Sequence, residues 1–467
     1  MKLSYLYRLT CWLLMLALTV ACEKVDLDKG VVTRQGLLNF AVSIPGQSIE
    51  YAATSAGPYR EGDTIIIKVP STEESPLNLS QLKPFASLGH NSVIEPALGK
   101  IMDFSKPVTV TVTDGAGKVT THIVKVVPTL PKTVFSKLWF KTSEAIGIKR
   151  TNISGLAVVG EHLLVADFNG GNVGIDNGVR VLDKNTGELV RSIAPPTTFC
   201  MQVVADDANH FIINRYNVYS AGFVVYYYDN IDSEPKMILN YTAAAGCPVN
   251  LGRKVSVIGN LKSGKAFIYA TTNGNNNVYY WEFMDGVPLK EEPTIIRYAA
   301  AEPWTFAHIQ RKSLDPLSEH YFTYCNYNAS DPNLTQGSRF VSFNNDMEIT
   351  NIARQNHYYK VLGFDVFRVN GEEFTTMLTQ GYYAWDATHV KVLETTDPSK
   401  FNLTPGAAGH KDFMLFESDA YGGINYNRYG DIVADVRGNE VYLYATMATN
   451  AANTSGIMVY KMKYNKQ

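Results

Sequence analysis

The sequence predicts an all-β protein in which an immunoglobulin-like sandwich is followed by a β-propeller of six blades. Short runs rich in β-branched and aromatic residues recur along the chain and are separated by Gly, Asn and Asp turns. From about residue 133 these runs repeat every forty to fifty-five residues, which is typical of propeller blades. A chain of 467 residues is also too long for one compact core, so more than one domain is expected.

Residues 1–21 have the layout of a bacterial lipoprotein export signal. Two basic residues precede a short apolar stretch that ends at Ala21, the small residue before Cys22. We therefore expect cleavage before Cys22 and attachment of lipid to this cysteine, with a polar tether over residues 22–30. The apolar run is too short for a spanning helix, so lipid is expected to hold the protein at a membrane. A conventional secretory signal is the alternative interpretation.

The segment from residue 31 to residue 130 is predicted to be a small all-β domain. Four runs are rich in β-branched residues and bounded by turns: 37–42, 64–69, 108–112 and 121–127. Asp114-Gly115-Ala116-Gly117 is typical of a hairpin turn between the last two. Several short strands in about a hundred residues favour an immunoglobulin-like sandwich, and the prolines between residues 128 and 131 predict a stiff exit from it.

The propeller is predicted to occupy residues 133–467. Its clearest blade is residues 155–193, where an Asp183–Gly187 turn joins the last two of four strands. Comparable units follow at 201–241, 255–298, 321–343, 361–392 and 432–464. Units that cannot bury their faces alone stack into a ring, and the spare strand 134–140 is expected to close it beside the last blade. A seventh blade within residues 395–430 is the alternative.

The composition excludes several classes of partner and cofactor. Lys and Arg number 42 against 44 Asp and Glu, without a basic cluster, so nucleic acid is not an expected partner. Beyond Cys11 in the signal and Cys22, the chain has three cysteines: Cys200, Cys247 and Cys325. They lack Cys-x-x-Cys spacing, so we expect buried, inert thiols and neither a disulfide framework nor a metal site. No cofactor is expected.

Motifs of known enzymes are missing from the sequence, which favours a non-catalytic protein. It contains no nucleophile elbow, zinc-protease motif, phosphate-binding loop or dinucleotide fingerprint. Neighbours on a strand point to opposite faces, so three pairs of adjacent acids are expected at turns: Asp206-Asp207, Glu291-Glu292 and Glu372-Glu373. Two runs of possible calcium ligands lack the spacing of a calcium loop and are also expected at turns: Asp229–Asp232 and Asn344–Asp346. Scattered histidines leave catalysis at a channel mouth as an alternative.

Loops rich in aromatic and amide residues are the most informative feature of the second domain. A pyranose presents an apolar face for stacking and hydroxyls for hydrogen bonds, and Tyr, Trp and Asn side chains match both. We therefore predict that an oligosaccharide stacks on Trp304, Tyr382, Trp385 and Tyr426. Its hydroxyls are predicted to bind Arg215, Asn326 and Asn328. The alternative is that these residues serve only strands and turns.

Four short segments carry a resemblance to a known class of protein. Cys22-Glu23-Lys24-Val25-Asp26 is similar to a surface-export tag; Ile94–Pro96, Met102–Ser105 and Val108–Val112 with its hairpin are similar to a domain of unknown function. Together they resemble surface lipoproteins of Bacteroidetes that belong to polysaccharide utilisation loci. The resemblance covers residues 22 to about 130. It implies an outer-membrane, cell-surface location, a spacer role for the first domain, and an outer-membrane importer complex as partner.

The leading interpretation is a surface-anchored, non-catalytic lipoprotein that binds oligosaccharide or polysaccharide. A propeller glycoside hydrolase or polysaccharide lyase is the first alternative. The second is a scaffold that binds another cell-envelope protein and no sugar.

Overall fold

The structure is nearly all-β, as the sequence predicts. The computed structural model describes residues 36–47, 49–72, 75–148, 153–168, 178–297, 306–325, 338–344, 346, 348–352, 359–381, 387–404, 407, 409–422, 430–447, 449 and 451–465. Among these residues the only α-helix is α1, His410–Phe413. They form two compact units, the first ending at Pro131 and the second beginning at Lys132.

The first unit contains two sheets around one apolar core. The three-stranded sheet has the order β2-β1-β4: Glu50–Ala52, Leu37–Ser43 and Lys83–Leu88. The four-stranded sheet has the order β3-β7-β6-β5: Thr64–Pro70, Val119–Thr129, Val108–Thr113 and Val93–Glu95. β3 and β7 are parallel, and the other pairs are antiparallel. All four predicted strand runs are therefore confirmed.

Alternating burial explains why these strands form a two-sheet unit. Ile65, Ile67 and Val69 of β3 are fully buried, whereas the residues between them are exposed. The β6–β7 turn is the predicted hairpin: the Gly117 N–H donates to the Asp114 carbonyl at 2.9 Å. The Asp114 carboxylate also accepts backbone N–H groups of the turn, which is the common role of Asp at such positions.

The second unit contains six small antiparallel sheets; five are meanders along the chain, and the sixth is completed by the first strand of the unit. Sheet 1 comprises β9 to β12: Ile153–Val159, His162–Asp167, Val179–Asp183 and Leu189–Ile193. Sheet 2 comprises β13 to β16: Cys200–Ala205, Phe211–Arg215, Phe223–Tyr228 and Lys236–Tyr241. Sheet 3 comprises β17 to β21: Val255–Gly259, Lys265–Thr271, Asn277–Met284, Val287–Pro288 and Thr294–Arg297.

Sheets 4, 5 and 6 have four strands each. Sheet 4 comprises β22 to β25: Phe306–Arg311, His320–Cys325, Ser338–Phe343 and Ile349–Ile352. Sheet 5 comprises β26 to β29: Tyr359–Val369, Glu372–Gly381, Thr388–Glu394 and Met414–Glu417. Sheet 6 comprises β30 to β32 and then β8: Ile432–Arg437, Glu440–Met447, Gly456–Tyr464 and Thr133–Thr142.

β8 closes the last sheet, as the sequence predicts. It pairs antiparallel with β32, with Thr133 opposite Tyr464 and Thr142 opposite Gly456. The alternative of a further blade within residues 395–430 is not supported by the described part of that stretch. It contains a 3₁₀ turn at Pro398–Asn402, then α1, then β29 of sheet 5.

The first strands of the six sheets contact one another in a closed cycle: β9, β13, β17, β22, β26, β30 and again β9. Neighbouring first strands run in the same direction. From β26 to β22, the Phe364 N–H donates to His308 Nδ1 (3.4 Å) and the Val366 N–H donates to Gln310 Oε1 (3.2 Å). Contacts from β9 to β13, from β17 to β22 and from β26 to β30 also follow the same order along both strands. We call the edge where first strands begin the start rim and the opposite edge the end rim.

Neighbouring sheets share apolar cores and approach closely. Between sheets 2 and 3, the rings of Phe223 and Trp281 stack with centroids 5.5 Å apart. Between sheets 1 and 2, a Cβ atom on Gly155 would lie 2.8 Å from the backbone nitrogen of Val203. Only glycine therefore permits this approach of β9 to β13.

Candidate functional site

A cavity of about 470 Å³ lies among the six first strands. Its lining comes from the middle of β9, from the later parts of β13, β22 and β26, and from the beginnings of β17 and β30. Its lining includes five carboxylates: Asp206, Asp207, Asp365, Glu373 and Asp431. Most other side chains of the first strands are apolar, so this group of acids is the most distinctive chemistry inside the ring.

An ion pair crosses the ring on the start-rim side of the cavity. Lys254 Nζ lies 2.8 Å from Asp431 Oδ1 and also donates to the Gly430 carbonyl at 2.9 Å. These residues directly precede the first strands of sheets 3 and 6, which are opposite each other in the cycle. The two side chains are only 7% and 8% exposed. Burial lowers the pKa of Lys254, and the Asp431 charge opposes this shift.

Two further titratable groups in the cavity are perturbed by burial. Burial, and then the positive charge of Lys254, lower the pKa of His308 well below its ordinary value, so its imidazole is neutral at pH 7. Burial raises the pKa of Asp365 to about 6, although hydrogen bonds to its carboxylate oppose the shift. These donors include the Ala434 and Val366 N–H groups, each at 2.9 Å.

The cavity carboxylates hold neighbouring sheets together. Three of them accept a backbone N–H from the next sheet: Asp207 from Gly259 (2.8 Å), Asp365 from Ala434 (2.9 Å) and Asp431 from Leu156 (3.1 Å). Asp206 accepts the Leu261 N–H at 2.9 Å and also bonds His210 at the same distance. A general acid or base must instead reach the proton that it transfers. These contacts are those of structural groups.

Glu373 lies near the beginning of β27, on the end-rim side, and joins sheet 5 to sheet 4. It accepts the Tyr321 hydroxyl at 2.6 Å and lies 3.2 Å from Lys312 Nζ. Arg368 pairs with its other oxygen at 2.9 Å. Burial, and then the Glu373 charge, raise the pKa of Tyr321, which therefore remains a hydrogen-bond donor.

Six of the seven predicted sugar-binding residues lie outside the described residues: Trp304, Tyr382, Trp385, Tyr426, Asn326 and Asn328. Cys22 lies outside them as well. The seventh, Arg215, ends β14. Its guanidinium donates to the Gly222 carbonyl at 3.0 Å and to the Ala221 carbonyl, so it fixes the loop that follows.

The described strands next to these positions each have one end at the same rim. Each second strand is antiparallel to the first strand of its sheet, so second strands finish where first strands begin. β14, β23 and β27 therefore finish at the start rim, and β22 and β30 begin there. Each predicted position belongs to one of these strands or lies within about six residues of one in the sequence.

The remaining sequence predictions have mixed outcomes. Asn230 and Asn344 accept backbone N–H groups within their own turns, which confirms the turn interpretation of both calcium candidates. Within the described ranges, no group of three or more His, Cys, Asp or Glu side chains could hold a metal ion. The prediction that Glu372-Glu373 lies at a turn is wrong. Both residues begin β27, because Asn370 and Gly371, both with positive φ, occupy the turn before them.

The cysteine prediction is confirmed for two residues. Cys200 and Cys247 are buried and form no disulfide. Burial raises their pKa values to about 12 and about 11, so both remain thiols at neutral pH. The side chain of Cys325 is outside the described part of the chain.

The sequence analysis missed Lys254, His308 and Asp365 as members of a buried polar group. A signal was available, since Lys254 and Asp431 each occupy the position directly before a first strand. A charged residue at the same place in two repeats, next to an apolar strand, indicates a contact inside the ring. No helix in the described ranges has the length and hydrophobicity needed to cross a bilayer.

Comparisons with known families and structures give the following matches. A family model described as "Domain of unknown function (DUF5018)" matches residues 17–126, which places this domain at the N-terminus. A second, described as "Domain of unknown function (DUF8500)", matches residues 138–459. No curated protein matches the sequence at a significant level.

Three solved structures match the chain in a structural comparison. A DUF4623 family protein from Bacteroides eggerthii has a TM-score of 0.51 at 14% identity, over 92% of this chain and 98% of that chain. Kuenenia stuttgartiensis hydrazine synthase has a TM-score of 0.39 at 12% identity, over 89% of this chain and 98% of that chain. A mutant of AofleA from Arthrobotrys oligospora has a TM-score of 0.42 at 8% identity, over 72% of this chain and 94% of that chain. Only the first score is high enough to bear on the fold.

Proposed function

Because the chain belongs to the family described as "Domain of unknown function (DUF8500)", whose description assigns no activity, we propose its function from its own geometry. The proposal is a surface-anchored, non-catalytic glycan-binding lipoprotein. Its second unit is a six-bladed β-propeller whose start rim captures oligosaccharide or polysaccharide. Its first unit is an immunoglobulin-like spacer.

The closed cycle of first strands supports the propeller. Six antiparallel sheets, each with its first strand innermost, are the arrangement of propeller blades. The strand β8, which completes sheet 6 from the other end of the unit, supports it further. Two sheets around one core support the sandwich.

The common rim is the observation that carries the binding proposal. Strands flanking the predicted aromatic and amide residues begin or finish at the start rim. A sugar chain needs several flat apolar faces and amide groups within reach of one another. One rim shared by five strands supplies a reason for residues so distant in sequence to act together.

The cavity supports a non-catalytic protein over a hydrolase or lyase. Each of its five carboxylates already accepts a hydrogen bond from a neighbouring backbone or side chain. Glycoside hydrolysis uses two carboxyl groups that face the substrate, one of them as acid.

A cell-surface location follows from the sequence pattern around Cys22. The basic start, short apolar stretch and small residue before this cysteine support lipidation, and the acidic residues after it support surface export. An outer-membrane importer complex is the proposed partner at that site.

The test uses protein from which residues 1–21 are removed and Cys22 is changed to serine. Starch, xyloglucan, galactomannan, arabinoxylan and pectin are each cast in native gels, and reducing ends are measured in parallel. We expect retardation by at least one polysaccharide without new reducing ends. Release of reducing ends would instead establish an enzyme, and neither retardation nor release would favour the protein-binding scaffold.

Substitutions then locate the binding face. Trp385→Ala is expected to weaken retardation about tenfold, since one aromatic platform contributes on the order of 1 kcal/mol or more. The control is Tyr442→Ala, which removes a half-buried aromatic near the beginning of β31 and therefore near the end rim. Equal retardation of the two variants would contradict a start-rim site.

A further inference from the structure

A second concave site lies between the outer strands of sheets 5 and 6. It has a volume of about 320 Å³ and is lined by the beginning of β8, the end of β29 with residues 418–421, and the middle of β32. We call it the closure groove, because β8 is the strand that completes sheet 6. Its volume is at the lower end of the range for small-ligand sites, so it suits one or two sugar rings.

Aromatic side chains form the wall of the closure groove. Phe135 of β8 and Phe416 of β29 stack with centroids 4.4 Å apart and planes only 10° apart. Tyr460 of β32 packs edge-on against Phe416, with centroids 5.4 Å apart. Phe135 and Phe416 are half-buried, so part of each ring remains accessible. The wall is rigid because three strands from two sheets hold it.

Most polar groups around this wall are already bonded. Ser418 Oγ accepts the Val390 N–H at 2.9 Å and donates to the Asp419 carbonyl at 3.0 Å. Glu417 pairs with Lys391 at 2.8 Å. These contacts fix the segment that follows β29 in place.

Two charged side chains at the groove differ from the others. Lys137 on β8 and Asp419 after β29 are exposed, and neither has a hydrogen-bond or ion-pair partner among the residues that the structure describes. A lysine ammonium is a hydrogen-bond donor and a carboxylate accepts two hydrogen bonds. The groove thus combines an aromatic wall with one available donor and one available acceptor.

We propose that the closure groove binds a neutral pyranose unit of a glycan. The apolar face of the sugar ring would lie against the exposed parts of the stacked Phe135 and Phe416 rings, with vicinal hydroxyls donating to the Asp419 carboxylate and another accepting from Lys137. The acidic sugars of pectin are disfavoured, because the carboxylates of Glu417 and Asp419 outnumber the one unpaired cation.

The inference rests on the proposed glycan-binding function and adds a second contact to it. Two contact points on one polysaccharide chain raise the apparent affinity, because the second contact forms at high effective concentration. A single polymer could therefore be held at the start rim and at the closure groove together. The affinity of the whole protein for long chains would exceed that of either site.

The experiment is isothermal titration calorimetry of the Cys22→Ser protein without residues 1–21. The probes are maltohexaose, cellohexaose, xylohexaose, mannohexaose and laminarihexaose, with trigalacturonic acid as the acidic comparison. Lys137→Ala combined with Asp419→Ala is expected to weaken binding of a neutral hexasaccharide about tenfold. Phe416→Leu keeps an apolar side chain but removes the flat face, and should weaken it by a similar factor.

The matched control combines Glu234→Ala with Lys236→Ala. These residues are an exposed acid and an exposed lysine at the outer strand of sheet 2, away from the closure groove. The control should bind like the unmodified protein. Tryptophan fluorescence of each variant in the absence of sugar verifies its fold.

The outcomes separate the two proposals. Binding of a hexasaccharide that Trp385→Ala weakens, but that the closure-groove variants leave unchanged, overturns the groove and keeps the proposed function. Loss in the closure-groove variants alone supports the groove. Absence of binding to every hexasaccharide overturns the groove together with the glycan-binding function, and stronger binding of trigalacturonic acid overturns the assignment to neutral sugars.

Discussion

Replacing Lys254 with methionine is expected to lower the free energy of unfolding of the second unit by about 3–5 kcal/mol. The substitution removes the ion pair with Asp431 at 2.8 Å and the hydrogen bond to the Gly430 carbonyl at 2.9 Å. It also leaves a carboxylate buried without its cation. Charge-assisted hydrogen bonds contribute about 1.5–3 kcal/mol each, so the loss of two is consistent with this range.

A second substitution tests the assigned cause. In the Lys254→Met, Asp431→Asn double variant, the amide oxygen can still accept the Leu156 N–H, and no charge is left unpaired. The double variant should therefore be more stable than Lys254→Met alone, although less stable than the unmodified protein.

The assay is urea unfolding followed by tryptophan fluorescence. Beyond residue 21, the chain has four tryptophans, and all of them follow residue 131: Trp139, Trp281, Trp304 and Trp385. The fluorescence transition therefore reports the second unit and not the first. Midpoint and slope give the change in free energy for each variant.

Lys461→Met is the matched control. Lys461 pairs with Glu440 at 3.2 Å, but these side chains are 29% and 32% exposed. A solvent-exposed pair contributes only about 0–1 kcal/mol. If the Lys254 and Lys461 variants unfold at the same urea concentration, the buried pair has no special role, and the reasoning is refuted.

Three further predictions concern other parts of the second unit. Gly187 has φ +71°, and an added Cβ would lie 2.9 Å from the Trp139 ring, so Gly187→Ala should cost about 1–3 kcal/mol in the same urea assay; no loss would contradict the described turn. Burial lowers the pKa of His320 from 6.5 to about 3, so its contribution is present above pH 6.5 and lost as pH falls toward 3. His320→Gln should reduce the pH dependence of stability between pH 7.5 and 5 by up to about 1.4 kcal/mol per pH unit, and an unchanged slope would argue against a neutral buried imidazole. Cys200 and Cys247 should react with Ellman's reagent only after unfolding, so the denatured protein should show at least two more reactive thiols than the native one.

Local patterns explain why much of the fold was predictable. The four predicted strands of the first unit, the hairpin at Asp114 and the pairing of β8 all follow from β-branched runs and their turns. In such runs, the residues that determine the structure are adjacent in sequence. The strand count of sheet 5 was harder, because β29 follows a long segment that contains α1.

Contacts inside the ring could not be predicted in the same way. Lys254 and Asp431 lie 177 positions apart, and although the place of each before a first strand indicates a contact inside the ring, it does not identify the partner. Asp365 gives no local sign of the Ala434 N–H that it accepts. The predicted sugar-binding positions depend on side chains outside the described residues, so apart from Arg215 they stay predictions.

The pairing of β8 with β32 has a consequence for biosynthesis. β8 is the first strand of the second unit to leave the ribosome, and it pairs with β32, which is the last. This unit therefore cannot be completed while translation continues. Until then, the apolar sides of sheets 1 and 6 remain exposed to solvent, and holdase chaperones can bind there. A nonsense mutation that removes only β32 should for this reason send the whole unit to proteolysis.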